Sequence, residues 1–517
     1  TLLEAAIIAA GQPLPFDYSY TRDAALPGQP FGNSPNTISG NPVTLAADWV
    51  VPPGDGGSLF RLLGDGAVYG TGDPVPAGTT ITLTLGTMDP NYVVPADAFP
   101  NGIPVQPTQA TLSAGSAAPF DVTLEAGYRL AAGTTLGQDA HVRTPLSLNT
   151  DLFQKGFSDY QISGHSGLVV AENAQLEASM PVYRFTDQAT FTGGRDEALE
   201  LWMPPLHLET PEEGILSQRA GASLALSAER NGVVAPLLVE EGARVSVDPG
   251  QSIRLSGGRQ VTVEGTLSAP GGAIDILGGI PGGANQTPKG GAIWIGEQAL
   301  LDVSGRAYVA TDPRGRRYGQ VLDAGRVTLG GAAPEGEVDD NSYYPLTDLF
   351  VVVRDGAVID LSGASAKFDL SGGGEPTRVA GDAGGLAMRS TSGIYFDGEL
   401  RARSDGGGAT GGALEVMLES RLLNAIPNPD EAVLRNITLG SGLDSGLSQG
   451  VAPGVDDGSL EYGRARFDVD GLVAAGVDDL SLWARDAILF DGDTEVNMDR
   501  SLSLSATLFG ATVDNPD

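Results

Sequence analysis

The chain contains no cysteine, which excludes disulfides and thiolate metal sites together. Histidine is nearly as scarce: His141, His165 and His207 are the only ones, and they lie far apart in sequence. A zinc site would need them to converge with carboxylates, so isolated surface or turn histidines are the simpler expectation. Lysine occurs only at Lys155, Lys289 and Lys367, and nearly all positive charge is arginine. The 30 basic residues face 65 acidic ones, for a net charge of −35. Such a molecule repels phosphate backbones and anionic lipid, which argues against nucleic acid and membrane surfaces as partners. No apolar run is long enough to span a bilayer as a helix. Charged residues make up only 18%, too few for a coiled coil. The opening TLLEAAIIAAGQPLPF has neither an initiator methionine nor a basic n-region, so no signal peptide is read there. Both ends read as cut from a longer chain.

What is abundant is glycine, 73 residues spread between short apolar runs beside 34 prolines. That spacing marks turns rather than one flexible linker. With 41% hydrophobic residues a continuous core is expected, and wholesale disorder is not. The decapeptide GEQALLDVSG at 296–305 recurs as RDGAVIDLSG at 354–363 without a histidine, cysteine or lysine in either copy. Aligned on Ala174, Ala243, Ala299 and Ala357, four stretches read AQLEAS, ARVSVD, ALLDVS and AVIDLS. Leu176, Val245, Leu301 and Ile359 share one face; Glu177, Ser246, Asp302 and Asp360 share the other. Alternation with period two predicts strands with one buried face. Between them lie SIRLSG (252–257), VTVEGTLSA (261–269), AIDILGG (273–279), AIWIG (292–296) and RVTLGG (326–331), each read as one short strand.

Short strands repeating one inward pattern over so long a stretch predict an all-β chain, a right-handed parallel β-helix (β-solenoid) with loop excursions. The decapeptide is then a rung, and repetition is what lets rungs stack. The expected organisation is irregular β-rich segments or early β-helix coils with Pro-rich loops over 1–145 and a β-helix core over 146–423. A loop excursion over 424–460 and further coils over 461–517 complete it. Short helices are expected only around 416–424 and near the N-terminus. A second excursion covers 331–349, with Tyr343 and Tyr344 adjacent.

The runs LSLNTDLFQKGFSDYQISGHSGLVVAENAQL (146–176), VTVEGTLSAPGGAIDILGG (261–279) and GIYFDGELRARSDGGGATGGALEV (393–416) resemble filamentous-haemagglutinin-like large exoproteins. DLSLWARDAILFDGDTEVNMDRSLSL (479–504) continues the likeness in the same order, which covers roughly 75–510. The resemblance implies an interior shaft segment of a secreted protein at the surface of a Gram-negative bacterium. It would be exported through an outer-membrane two-partner-secretion transporter and serve in cell adhesion or biofilm.

Parallel β-helices also carry polysaccharide enzymes, whose chemistry needs carboxylates a few ångströms apart. Asp339–Asp340, Asp456–Asp457 and Asp478–Asp479 are the vicinal pairs, and each fits a solvated turn at least as well. The Gly-His-Gly and Arg-x-Lys runs of polygalacturonases are absent; GHS at 164–166 is the nearest approach. No enzyme is therefore expected. No cofactor is expected either; structural Ca²⁺ has oxygen ligands in plenty, but no calcium nonapeptide recurs, and GGGEPTRVAGDAGG at 372–385 lacks its spacing. The candidate ligand-binding residues are Arg314, Arg316, Arg317 and Tyr318 of DPRGRRYG, which could grip an anionic glycan by bidentate bonds and stacking. A turn with its arginines paired to nearby acids is the blander alternative. Tyr343 and Tyr344 could offer a sugar-stacking platform or pack their loop down.

Overall fold

In a computed structural model of the chain, the residues described are 6–8, 12, 14, 18–25, 27, 42–57, 60–86, 88–89, 91–112, 118, 122–124 and 147–512. Within the last range 165–166, 188–197, 231–232, 235, 259, 279–290, 332–345, 371–374, 407, 421–432 and 455–457 are excepted. The chain divides into two compact units, one within Ala6–Leu124 and one within Arg143–Asp517.

Every strand pair in the first unit is antiparallel among the described residues. Of the two readings of 1–145, irregular β-rich segments or early coils, the described strands resemble the first, since two-stranded ribbons and a four-stranded sheet do not stack as rungs. The helix expected near the N-terminus is also absent among the described residues, where Ala6–Ile8 is a strand against Val122–Leu124. Trp49, Phe60, Leu62, Val75 and Phe99 form the core, with Trp49 edge-on to Phe99 at 4.9 Å. Aspartates build the turns: Asp48, Asp65 and Asp73 accept the backbone N–H groups of Ala77, Thr80 and Gly70. Part of the chain's acidity is thus turn chemistry.

The second unit is mostly parallel β. Its first sheet runs, neighbour to neighbour, through Asp159–Ser163, Ser223–Arg230, Ser252–Gly257, Ala273–Gly278, Arg326–Gly330, Gly385–Ser390, Gly412–Leu418, Val477–Ala484 and Ser501–Ser505. The second runs through Leu168–Val170, Leu237–Val239, Val261–Val263, Ala292–Ile295, Phe350–Val353, Ile394–Phe396, Arg464–Asp468, Asn436–Gly440, Ala487–Asp491 and Leu508–Ala511. A third holds Gln175–Ala178, Arg244–Val247, Thr266–Ser268, Leu300–Asp302, Val358–Asp360 and Glu399–Arg401. The chain visits first, second and third sheet in that order six times.

Register makes the core. In the third sheet Leu176, Val245, Leu267, Leu301, Ile359 and Leu400 stand in one line. Leu224, Ile253, Ile274, Val327, Leu386, Leu414 and Leu480 do the same in the first. All are buried in one continuous cluster, and each such side chain contributes roughly 1.5–3 kcal/mol of hydrophobic stabilisation. The four aligned alanine stretches do share this sheet, but with an unforeseen rung among them. VTVEGTLSA is two strands, not one, because Glu264 and Gly265 turn a corner between the second sheet and the third. A Cβ on Gly265 would lie 2.7 Å from the Glu240 carbonyl oxygen below, so the corner requires glycine.

The D-x-S-G ending of the repeated decapeptide has a separate task. Asp302 Oδ1 accepts the Ser304 N–H at 3.1 Å, and Asp360 Oδ1 accepts that of Ser362 at 2.9 Å. Each aspartate thereby closes its rung in a turn. The glycine then admits a hairpin base: a Cβ on Gly305 would stand 2.7 Å from the Leu322 carbonyl oxygen.

Two further expectations change. Val416–Leu418 belongs to a first-sheet strand and not to a helix, while 421–424 lie outside the described residues. Among the described residues of this unit the α-helix is Val469–Ala475, ended by Gly476 at φ 91°, and Thr150–Gln154 forms a 3-10 turn. It lies against Glu399–Arg401, the last strand of the third sheet. The segment 424–460, read as an excursion, supplies the second-sheet strand Asn436–Gly440.

Candidate functional site

Hairpins leave the stack where the third sheet hands over to the first. They pair Val182–Phe185 with Leu199–Trp202, His207–Thr210 with Ile215–Gln218, Arg306–Thr311 with Arg317–Leu322, and Ser365–Phe368 with Thr377–Ala380. The last three lie side by side: Ile215–Gln218 touches Arg317–Leu322, which touches Ser365–Phe368.

Arg314, Arg316, Arg317 and Tyr318 lie at and beside the tip of the third hairpin. Asp312 organises the tip by accepting the Arg314 and Arg316 N–H groups, both at 2.8 Å, and the Arg316 Nε at 2.8 Å. Those bonds, the Arg316 N–H first, hold the Asp312 carboxyl below the usual range. Arg317 is committed to Asp369 at the neighbouring hairpin, through its N–H at 2.7 Å and its Nε at 3.3 Å. Asp369 is lowered too, chiefly by the Arg317 N–H. Only Arg314 points an exposed guanidinium outward with no partner among the described residues. Tyr318 faces the second hairpin instead. Burial of its hydroxyl, then the charges of Glu209, Asp312 and Glu212, push its pKa up. The four residues therefore do not converge on one ligand position. Tyr343 and Tyr344 lie outside the described residues, but Leu346, Thr347 and Leu349 just after them are buried against the stack.

The described residues of the loop after Gly440, 441–454 and 458–463, lie on the outer face of the second sheet. Val451 and Leu460 pack with Ala292, Trp294, Phe350, Val352 and Tyr395. Arg354, 5% exposed, donates to the carbonyls of Ser448 at 3.1 Å and Gln449 at 3.0 Å while its guanidinium lies over the Trp294 ring. The Tyr395 hydroxyl donates to the Glu461 carbonyl at 3.1 Å, and Asp397 accepts the Ser445 N–H at 2.8 Å. Neither Arg354 nor Tyr395 is distinguished in the sequence, since Tyr395 sits at an outward strand position and Arg354 directly follows a strand, and both read as solvent-facing.

Of the vicinal aspartates, Asp339–Asp340 and Asp456–Asp457 lie outside the described residues, as do His141 and His165. Asp478 accepts the Gly411 N–H at 2.5 Å; Asp479 accepts the Ser501 hydroxyl at 2.5 Å and pairs with Arg500 at 3.3 Å. Both carboxylates are spent on joining rungs. His207 stacks on Tyr308, ring centroids 3.8 Å apart, and burial lowers its pKa against the opposing pull of Glu209. No group of three or more potential metal ligands is found among the described residues, and no described helix is long and apolar enough to cross a membrane.

An open groove of about 550 Å³ follows the corner between the third and first sheets, lined by Gln251, Arg326, Asp382, Thr410, Asp479 and Arg500 among others. Its floor is a glycine ladder. A Cβ on Gly272, Gly325 or Gly384 would fall inside contact distance of the carbonyl oxygen of Gln251, Gly272 or Gly325, respectively, one rung below. The sequence signal is the recurring small pair before a strand: GGA at 271–273, AGR at 324–326, AGG at 383–385 and GGA at 411–413. Comparison with known proteins returns no match to a family model, a curated protein or a solved structure.

Proposed function

We propose that the chain is a structural shaft segment of a secreted bacterial surface exoprotein that mediates cell–cell or cell–surface attachment. In this reading the second unit is a right-handed parallel β-helix, carried to the Gram-negative cell surface through a two-partner-secretion transporter. The supporting observation is the use to which polar side chains are put: Arg317 ties one hairpin to the next, Arg354 ties a loop to the second sheet, and Asp478 and Asp479 join adjacent rungs. A molecule whose charged groups are spent on its own lateral contacts is built for shape, with nearest-neighbour rungs supplying the stability. The acidic surface would keep neighbouring shafts apart.

A second reading, a glycan- or matrix-binding module acting through the excursions, is favoured by the exposed guanidinium of Arg314, which has no partner among the described residues. Binding of the purified chain to a panel of bacterial and host polysaccharides, with and without EDTA, separates the two. The shaft reading expects neither saturable binding nor release of reducing sugar. Saturable binding abolished by Arg314→Ala moves the function to the hairpin tip, and sugar release overturns both.

A further inference from the structure

In the first and third sheets, strands of the stack follow one another in chain order. The second sheet departs from it once: Arg464–Asp468 lies between Ile394–Phe396 and Asn436–Gly440, although it comes later in the chain than both. The departure also breaks the match between sheets. Gly385–Ser390 pairs directly with Gly412–Leu418 in the first sheet, while the corresponding second-sheet strands, Ile394–Phe396 and Asn436–Gly440, are held apart by the extra strand. The first sheet has nine strands in its parallel path and the second has ten.

The joint on the early side of the extra strand is short in register, although Phe396 meets Phe467 and the Tyr395 hydroxyl bonds the Glu461 backbone beside it. Ile394 with Ala465 is the single registered pair between Ile394–Phe396 and Arg464–Asp468. On the other side five pairs run from Asn436–Arg464 to Gly440–Asp468, and five more join Asn436–Gly440 to Ala487–Asp491. The inward line at this level is Ile394, Ala465, Ile437 and Ile488. Without Ala465, Ile437 would stand directly on Ile394, and the aliphatic line would stay unbroken.

We propose that Arg464–Asp468 is an inserted strand and that the chain has a second, shorter arrangement. In it Asn436–Gly440 pairs directly with Ile394–Phe396, and 441–475 stay outside the stack. When the chain is added from its N-terminal side, Asn436–Gly440 finds Ile394–Phe396 as the open edge before Arg464–Asp468 exists. The later strand then enters between them, and the helix Val469–Ala475 closes over the third sheet as it does so. Ala465, Phe467, Val469 and Leu472, all buried in the observed arrangement, supply the drive for entry. The inference stands on strand order and burial and does not depend on the shaft reading.

The absence of cysteine makes the test direct. Adjacent parallel strands lie ~4.8 Å apart and alternate ones ~9.6 Å, whereas a disulfide needs Cα atoms within about 7 Å. Ile394→Cys with Ala465→Cys therefore reports the observed arrangement, and Ile394→Cys with Ile437→Cys reports the shorter one. Ile293→Cys with Ile394→Cys is the control, two strands apart across Val351 in regular order. The denatured variants are refolded under an oxidising buffer and quenched with alkylating reagent at successive times. The expected result is a 394–437 link that appears early, well above the control, and falls when oxidation is started later, while the 394–465 link rises. A 394–437 yield that never exceeds the control while 394–465 forms overturns the proposal.

Should the cysteine pairs prevent folding, excision of 441–475 is an independent measurement. Gly440 is joined to Gly476 through a copy of 492–500, which makes the same crossing from the second sheet to the first one level later. A β-rich circular dichroism spectrum and one cooperative unfolding transition are expected; an aggregated or molten product overturns the proposal.

Discussion

Arg219 clasps Asp248 through two hydrogen bonds, Nε to Oδ2 at 2.9 Å and Nη2 to Oδ1 at 2.7 Å, with 11% and 8% of the two side chains exposed. Arg219 also donates to the Pro204 carbonyl at 2.8 Å, so one guanidinium pins the second hairpin to the corner after Arg244–Val247. Its own pKa is raised, first by the bond with Asp248. Pairs this dry hold the geometry of a junction, and losing one member strands the other charge out of water.

Arg219→Ala or Asp248→Ala is therefore expected to destabilise the second unit by about 3–5 kcal/mol, whereas the double change Arg219→Met/Asp248→Leu costs far less. Urea midpoints of the three variants check this. Equal losses in all three would mean that the pair matters for packing and not for charge.

The alternation of Leu176, Val245, Leu301 and Ile359 was legible because a buried strand face writes itself with period two. The same period is why the hairpins were not legible: RAYVAT and RRYGQVL alternate as rungs do, and nothing in that pattern separates an antiparallel ribbon from a parallel strand. NITLG and RARFD likewise alternate identically, so their inverted order is written nowhere in the local sequence. The helix Val469–Ala475 is too short for helical periodicity to outweigh its setting among strands. Arg314, Arg316, Arg317 and Tyr318 read in sequence as one basic, aromatic patch, but Asp369, beside Arg317, and Glu209 and Glu212, beside Tyr318, come from other hairpins, which no local pattern announces.

The glycine ladder makes a sharp prediction. Gly325→Ala places a methyl group inside contact distance of the Gly272 backbone carbonyl, in a stack that has no slack. A loss of about 3 kcal/mol or more is expected, at or above the upper end for overpacking because backbone cannot step aside. Gly450→Ala is the control: nothing lies within 4 Å of its added Cβ, so stability should change by less than about 1 kcal/mol. Thermal melts of the two variants would refute the ladder if they shifted alike.

Arg354 should be what keeps the loop around Ser448 and Gln449 down on the second sheet. Arg354→Ala removes the bonds to the Ser448 and Gln449 carbonyls together with the contact over Trp294. A local loss of about 1–3 kcal/mol follows, enough to raise chymotrypsin cleavage at Leu447, Leu460 or Tyr462 about fivefold or more without unfolding the sheets. Mass mapping of the first cut decides it, and an unchanged cleavage rate would leave the loop held by Tyr395, Asp397 and the packing of Val451 and Leu460.

Acid should loosen the hairpin row in two steps whose order follows from the pKa directions. His207 is held below its ordinary 6.5 by burial, with Glu209 opposing. A folded value below the unfolded one means that its contribution is fully present above about pH 6.5 and is lost as pH falls toward the folded value. Asp302 follows at lower pH. Burial pushes its carboxyl up, but the Ser304 hydroxyl, the Arg306 charge and their hydrogen bonds outweigh that and hold it below 3.8. Asp312 and Asp369 are lowered as well, so all three lend stability above the ordinary carboxylate range and lose it as pH falls through their own values. Urea midpoints measured from pH 7.5 to 3 should therefore fall gently below pH 6.5 and steeply below pH 4. His207→Phe keeps the stacking on Tyr308 and should abolish the gentle phase while leaving the steep one. If the gentle phase survives that change, the neutral histidine is not what ties the second hairpin to the third.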